Sequence, residues 1–461
     1  MEQKTNSNVQ LGMIFMASIF FIFGFITNFN IAMKDQVQLA FALTNLEAQL
    51  VNFSFFIAYA VFSFPCGYII KKIGYKNGVI AGLVLVAVGS YMFFPAVAAL
   101  SYPLFLAAVF VMASGVVFLQ TAANPYVAAL GPQETAPARL NLTQALNGVA
   151  CTIAPFLAGV LVLAPAVLAI KAGATPADAA KFVQMPFIII GTIVVIIAVG
   201  ILFIKLPEIK GDTTISSNSV FKKPQVWLGA LAIFCYVGAE VGTASQIAPY
   251  LKSDGILPDL AVKLSAIYWG GSMVGRFFGS ILLSNLPKAK SMQYSAVVMV
   301  FAFLVGWFIT SASVTGGQFV FTSQPMNGLI FLGIAVVNFF LMMLGKGKAN
   351  VALGIFGAVN VLLILSAVML PATLGMWCLL SIGFFNSIMF PNIFALSVND
   401  LDPSEMPLAS GIINTLIAGG AIIPLLIGGF TDAFSARGAL LIPILCYAYI
   451  TFFALKGSKI R

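Results

Sequence analysis

Gln120 and Asn124 stand four residues apart in LQTAANPYVAAL, an otherwise apolar stretch, and Pro125 follows directly. On a helix this spacing puts both amides on one face, about 6 Å apart along the axis. An unpaired amide in hydrocarbon costs several kcal/mol, so that face must meet protein or water. Pro125 removes a backbone donor and frees an upstream carbonyl at the same depth. A second apolar run, NLTQALNGVACTIAP, adds Asn141, Thr143, Gln144 and Asn147. An earlier run carries Thr27, Asn28 and Asn30, and later ones carry Asn386 and Asn392 around Pro391, then Asn414. Carboxamides both donate and accept hydrogen bonds, which is what the vicinal hydroxyls of an uncharged solute require. Plain interhelical hydrogen bonding is the competing reading. Tyr126, Tyr236, Tyr268 and Trp269 are positioned to offer ring faces to such a solute, or to pack and anchor at the interface.

Charges inside the apolar runs are few. Glu240, in IFCYVGAEVGTASQIAPYL, lies mid-run with Tyr236 and Thr243 on its face. An acid at such depth is by default a ligand for a cation or substrate, with a buried structural pair as the alternative. The cation would be Na⁺ or H⁺. Arg276, nearer the cytoplasmic end of the next run, is a partner for an acid or part of a gating salt bridge. Lys34 and Asp35 sit at the outer end of the first run, where they can pair or snorkel. The candidates for binding a solute are therefore Asn28, Gln120, Asn124, Asn141, Gln144, Asn147, Tyr236, Tyr268, Asn386 and Asn392. Those for coupling or gating are Glu240, Lys34, Asp35 and Arg276.

Such residues need a membrane scaffold, and the composition supplies one. Of 461 residues 61% are hydrophobic and only 8% charged, against about 25% charged in soluble chains. The mean hydropathy is +1.04. With no histidine, His-based triads, most zinc sites and haem ligation are excluded. No G-x-x-x-x-G-K-[ST] loop for ATP occurs, so uphill work would have to draw on an ion gradient, and no enzyme chemistry is expected. The net charge of +9 does not point to nucleic acid. It resides in Lys/Arg clusters between apolar runs, such as Lys71, Lys72 and Lys76 or Lys222 and Lys223, which is the positive-inside pattern. The five cysteines lie in apolar runs without metal spacing and read as small hydrophobes.

The runs predict spans at 11–33, 45–70, 78–98, 103–129, 141–168 and 186–205, then at 227–251, 263–286, 292–312, 328–344, 349–370, 374–398, 410–429 and 438–456. That is an all-α polytopic protein of about fourteen transmembrane helices, with both termini cytoplasmic. The longest polar segment, 206–226, separates an N-terminal bundle (1–205) from a C-terminal one (227–461). Gly67 and Lys76 recur as Gly279 and Lys288 at an offset of 212. Gln120 and Pro125 recur as Asn386 and Pro391 at 266, and Asn141 and Pro155 as Ser410 and Pro424 at 269. The jump of 54 residues is the length of two helices with their loops. It implies a duplicated six-helix unit with a two-helix insertion at about 292–344, the parallel repeat of the major facilitator fold.

Several blocks carry a resemblance: LQTAANPYVAALGP, ARLNLTQALNG, YVGAEV, FFNSIMFPNIFAL, GGAIIPLL and LIPILCYAYI. In these the chain resembles the fucose–galactose–glucose/H⁺ symporter family of the major facilitator superfamily, above all its bacterial glucose/galactose permeases. GKGKANVALGIFGAVNVLLIL resembles the family's ninth span. The resemblance implies alternating access of two bundles, a central monosaccharide site and cation symport in the bacterial inner membrane, by a chain expected to act as a monomer. The fucose branch has an acid in the first span where this chain has Ile31, and another in the fourth where it has Gln120. Glucose/galactose-type members share the glutamine. The expected solute is thus a neutral hexose or amino sugar. The alternatives are an acidic sugar such as a uronate, held by Lys34 or Arg276, and, remotely, a sugar-binding membrane sensor.

Overall fold

A computed structural model describes residues 2–33, 37–38, 41, 43, 45–158, 173, 175–203, 206–207, 209, 217–253, 258–315 and 318–460. Lys34 and Asp35 lie outside the described residues, as does most of the 206–216 stretch. The first bundle comprises α1 (Glu2–Ala32), α2 (Asn45–Ala98), α3 (Tyr102–Ala129), α4 (Ala136–Ala158) and α5 (Pro176–Phe203). Spans predicted separately at 45–70 and 78–98 form one helical run, kinked at Gly74, whose φ of 80° and ψ of 165° reverse the chain without a loop.

The second bundle comprises α6 (Pro224–Ser253), α7 (Pro258–Leu282), α8 (Lys288–Ser311), α9 (Pro325–Met343), α10 (Ala349–Met369), α11 (Ala372–Asn386), α12 (Met389–Ser397), α13 (Met406–Thr415), α14 (Gly419–Ala433), α15 (Ala436–Ala439) and α16 (Leu441–Leu455). A two-stranded antiparallel hairpin, β1 (Ala312–Thr315) and β2 (Gln318–Phe321), joins α8 to α9. The span expected at 374–398 is interrupted at Ser387–Ile388, and that at 410–429 passes through a 3-10 turn at Leu416–Ala418. The first break is physically explicable: Pro391 lacks the N–H that would bond the Ser387 carbonyl in a continuous helix.

Among the described residues, eleven helical stretches are long and apolar enough to cross a membrane, one of them the kinked α2. The amide-bearing α4 and the Arg276-bearing α7 are not in that set. They pass through the interior, where lipid does not dictate their surface.

The kink at Gly74, the α3–α4 and α12–α13 connections, and Lys288, Lys346 and Lys348 all fall at one end of the bundles, termed here the basic end. The bundles meet there. α4 packs on α7 and α12, and α13 packs on α2 and α3. Gly67 and Gly411 face each other across that seam. A Cβ on Gly67 would lie 2.5 Å from the Pro407 carbonyl oxygen, and one on Gly411 would lie 2.8 Å from that of Ser63. Small residues let backbones approach this closely where lipid offers no hydrophobic drive.

Gly67→Val should therefore pry the basic end apart. A cysteine introduced at the buried Ser410 (Ser410→Cys, native cysteines replaced) is expected to react slowly with a hydrophilic maleimide, and at least tenfold faster once Gly67→Val is added. Equal rates would mean that this seam does not hold the end shut.

Candidate functional site

Above the seam lies a cavity of about 140 Å³, room for four or five waters at about 30 Å³ each. Its walls come from both bundles. The first contributes Thr27 and Asn28 from α1, Gln120 from α3, and Gln144 and Asn147 from α4; the second contributes Tyr236, Glu240 and Arg276. Phe23, Phe55, Phe56, Tyr59 and Phe390 add aromatic surface.

The amides are held, not loose. Tyr59 Oη donates to Gln120 Oε1 at 2.9 Å. Asn147 Nδ2 donates to the Phe20 carbonyl at 2.9 Å, and its Oδ1 lies 3.5 Å from Cys151 Sγ. Asn28 Nδ2 donates to the Gly24 carbonyl at 3.0 Å and to Cys151 Sγ at 2.8 Å. A side chain at Gly24 would put its Cβ 2.3 Å from Asn147 Nδ2, so α1 and α4 can share this wall only with glycine there.

On the opposite wall Tyr236 Oη donates to Glu240 Oε1 at 2.6 Å. Arg276 Nη2 lies 3.9 Å from the same oxygen. The guanidinium also donates through Nε to the Ser387 carbonyl and through Nη1 to the Gln144 carbonyl, both at 3.2 Å. Gln144 belongs to the other bundle, so Arg276 bridges the interface. Its expected place near the helix end holds for the backbone, while its side chain reaches the cavity wall.

Asn124, Asn141, Tyr268, Asn386 and Asn392 were expected to line the site, and none of them is in the cavity wall. Four of them are engaged elsewhere. Asn386 Nδ2 donates to Tyr268 Oη at 2.6 Å, and its Oδ1 accepts from Tyr447 Oη at 2.9 Å and Asn360 Nδ2 at 2.8 Å. Tyr268 Oη donates in turn to the Glu240 carbonyl at 3.0 Å, so this buried network fixes α6 from behind. Asn141 Nδ2 donates to Asn392 Oδ1 at 3.0 Å across the bundle seam. Asn124 is fully buried a turn beyond Gln120, with no partner for its amide among the described residues. Tyr126 donates to the Pro207 carbonyl, and Trp269 stacks edge-on against Tyr268 at the outer surface.

Sequence reasoning missed Tyr59 and the phenylalanines. The available signal was FFIAYA, where Phe55 and Tyr59 are one turn apart. It was inconspicuous among so many apolar aromatics.

The model of the Major Facilitator Superfamily matches residues 15–362. The chain belongs to that superfamily. A glucose/galactose transporter of Brucella abortus is 34% identical over 99% of this chain and 97% of its own length. The L-fucose-proton symporter of Escherichia coli is 30% identical, over 96% of this chain and 92% of its own. The solved structure of the transporter FucP in an outward conformation, 26% identical, superposes with a TM-score of 0.75 over 97% of this chain and 98% of that one. Within the superfamily the chain is therefore a member of the fucose–galactose–glucose/H⁺ symporter family. Its relatives are transporters, not enzymes.

If the cavity amides handle the solute, Gln120→Ala and Asn147→Ala should each leave folding intact, with an unchanged gel-filtration profile, and reduce transport in proteoliposomes to background. Normal transport by both variants would remove the cavity from consideration.

Proposed function

We propose that the chain is a secondary active transporter carrying a neutral hexose or amino sugar, glucose- or galactose-like, together with a proton by alternating access. The observation that carries this reading is the pairing of walls. Amides of the first bundle face Tyr236, Glu240 and Arg276 of the second across one monosaccharide-scale cavity. Gln120, Gln144 and Asn147 can trade hydrogen bonds with hydroxyls in either sense, while Phe55, Phe56, Tyr59 and Phe390 offer apolar faces to ring C–H groups.

The geometry favours H⁺ over Na⁺. A sodium ion on Glu240 Oε1 would stand close to the guanidinium 3.9 Å from that oxygen. Two like charges about 4 Å apart repel by about 4 kcal/mol at an effective dielectric of 20. A proton instead neutralises the carboxylate and frees Arg276, which also holds the Gln144 carbonyl of the other bundle. Protonation of Glu240 thus bears on the bundle interface itself. One charge crossing 100 mV supplies about 2.3 kcal/mol, or roughly 50-fold accumulation.

Arg276 is already engaged by Glu240 and two carbonyls, which speaks against a uronate's carboxylate as its ligand. Loop lysines at the basic end make that end cytoplasmic, with both chain ends on the same side of a bacterial inner membrane. The closed seam then makes this an outward-type state. A single copy contains the whole cavity, consistent with a monomeric carrier.

Glu240→Gln is expected to abolish uptake driven by a pH gradient and keep hexose counterflow within a few-fold of wild type. Undiminished accumulation by the variant would take Glu240 out of coupling. Wild-type protein that exchanges no hexose or N-acetylhexosamine under either a pH or a Na⁺ gradient would end the sugar reading.

A further inference from the structure

Helices α8 and α9 present mostly apolar surface outward, with Val297, Val300, Leu329 and Phe340 among the exposed residues. A pair that only coated the bundle would need nothing polar on its inner face. The inner stripe of α9 runs Gly328, Phe331, Ala335, Asn338 and Met342, at helical spacing. Asn338 is fully buried, and its Nδ2 donates to the Phe384 carbonyl at 2.9 Å. A leucine would pack there without desolvating an amide.

Phe384 lies in the last turn of α11, just before α11 gives way to α12. Its carbonyl also accepts from Ser387 Oγ at 2.6 Å. The Ser387 carbonyl is the one whose helical donor Pro391 removes, and Arg276 Nε takes that place at 3.2 Å. The Phe384 ring meets Phe331 of α9 at 4.6 Å between centroids. On the other side it presses on α7, where a Cβ at Gly271 would lie 2.6 Å from the ring. A Cβ at Gly275 would lie 2.9 Å from the Phe384 carbonyl oxygen, one residue before Arg276. A continuous path therefore runs from Asn338 through the broken turn to Arg276 and Glu240.

We propose that Asn338 is a positioning residue, through which the α8–α9 pair fixes the turn at Ser387 and so holds Arg276 against Glu240. This rests on Arg276 and Glu240 belonging to the sugar site. The test uses full-length protein in proteoliposomes, with D-glucose and D-galactose counterflow and hydrogen exchange of peptides covering 380–395. Asn338→Leu should speed exchange in those peptides alone and raise the sugar KM about tenfold, with Vmax within twofold and thermal stability retained. Asn338→Gln, which keeps the donor, should recover most of both effects, and Phe340→Leu on the outer face should change neither.

Unchanged exchange and KM in Asn338→Leu would reduce the pair to a lipid-facing coat. A general rise in exchange, with KM, Vmax and stability all worsened, would make Asn338 merely structural. If Asn338→Leu cannot be recovered from membranes, Ser387→Ala decides, since it strips the second donor from the same carbonyl. It must raise KM with Vmax kept, and an unaltered KM overturns the proposal. Should wild-type protein exchange neither sugar, the glucose- or galactose-like reading fails, while hydrogen exchange still tests the brace.

Discussion

A guanidinium at the core of a membrane bundle is tolerable only when its donors are engaged, because the desolvation penalty is several kcal/mol per ion. Arg276 meets this condition through one ion pair and two hydrogen bonds to three different elements. It is ion-paired with the Glu240 carboxylate of α6 at 3.9 Å, and it donates to the Ser387 carbonyl at the α11–α12 break and to the Gln144 carbonyl of the opposite bundle. Removing one partner of such a pair typically costs 3–5 kcal/mol, so the three elements cannot move independently while the charge stays paired. The broken helix is needed to expose Ser387, and the glycines of α7 are needed to let that turn approach. Much of the second bundle's irregularity follows from housing one charge.

The first bundle faces the same constraint with neutral groups. Gln120, Asn147 and Asn28 are each partly satisfied by protein, through Tyr59, Phe20 and Gly24. That fixes their rotamers while they remain at the cavity wall. Pre-set donors and acceptors lose little freedom when a solute arrives. On the proposed reading, a wall of fixed amides opposite a charge pair divides the labour: hydroxyl recognition on one side, charge movement on the other.

The membrane class, the helix positions and the polar faces of α3 and α4 were legible because each is a local property of composition and spacing. Gln120, Gln144, Asn147, Tyr236 and Glu240 could be picked out for the same reason. What was not legible is how a buried amide satisfies itself. Asn386 and Tyr268 look like Gln120 and Tyr236 in sequence, yet they close a buried network with Asn360 and Tyr447, residues 26 and 61 positions from Asn386. Asn392 pairs with Asn141 across 251 positions. Those partners are set by helix packing. Pairing at such distances leaves no periodic trace in one chain, so the inner network and the cavity wall could not be told apart in advance.

The closed seam carries a cost that bears on its reversibility. Two amides bridge it, Asn141 to Asn392 and Asn414 to Thr121, the latter at 3.2 Å. The contacts join α4 to α12 and α13 to α3, helices that exchange places under the repeat read from the offsets. Alongside them, Ser63 Oγ, Asn124 and Asn414 Oδ1 are buried without partners among the described residues. Each such orphan costs about 1–3 kcal/mol relative to hydration. A seam packed only with apolar side chains would have no such penalty and would shut more firmly. Here the unpaired groups offset part of the close glycine packing, and they would regain water whenever the basic end opened. An alternating carrier needs its two states within a few kcal/mol of each other, and polar groups left short of partners in one state are a direct physical means of keeping them so.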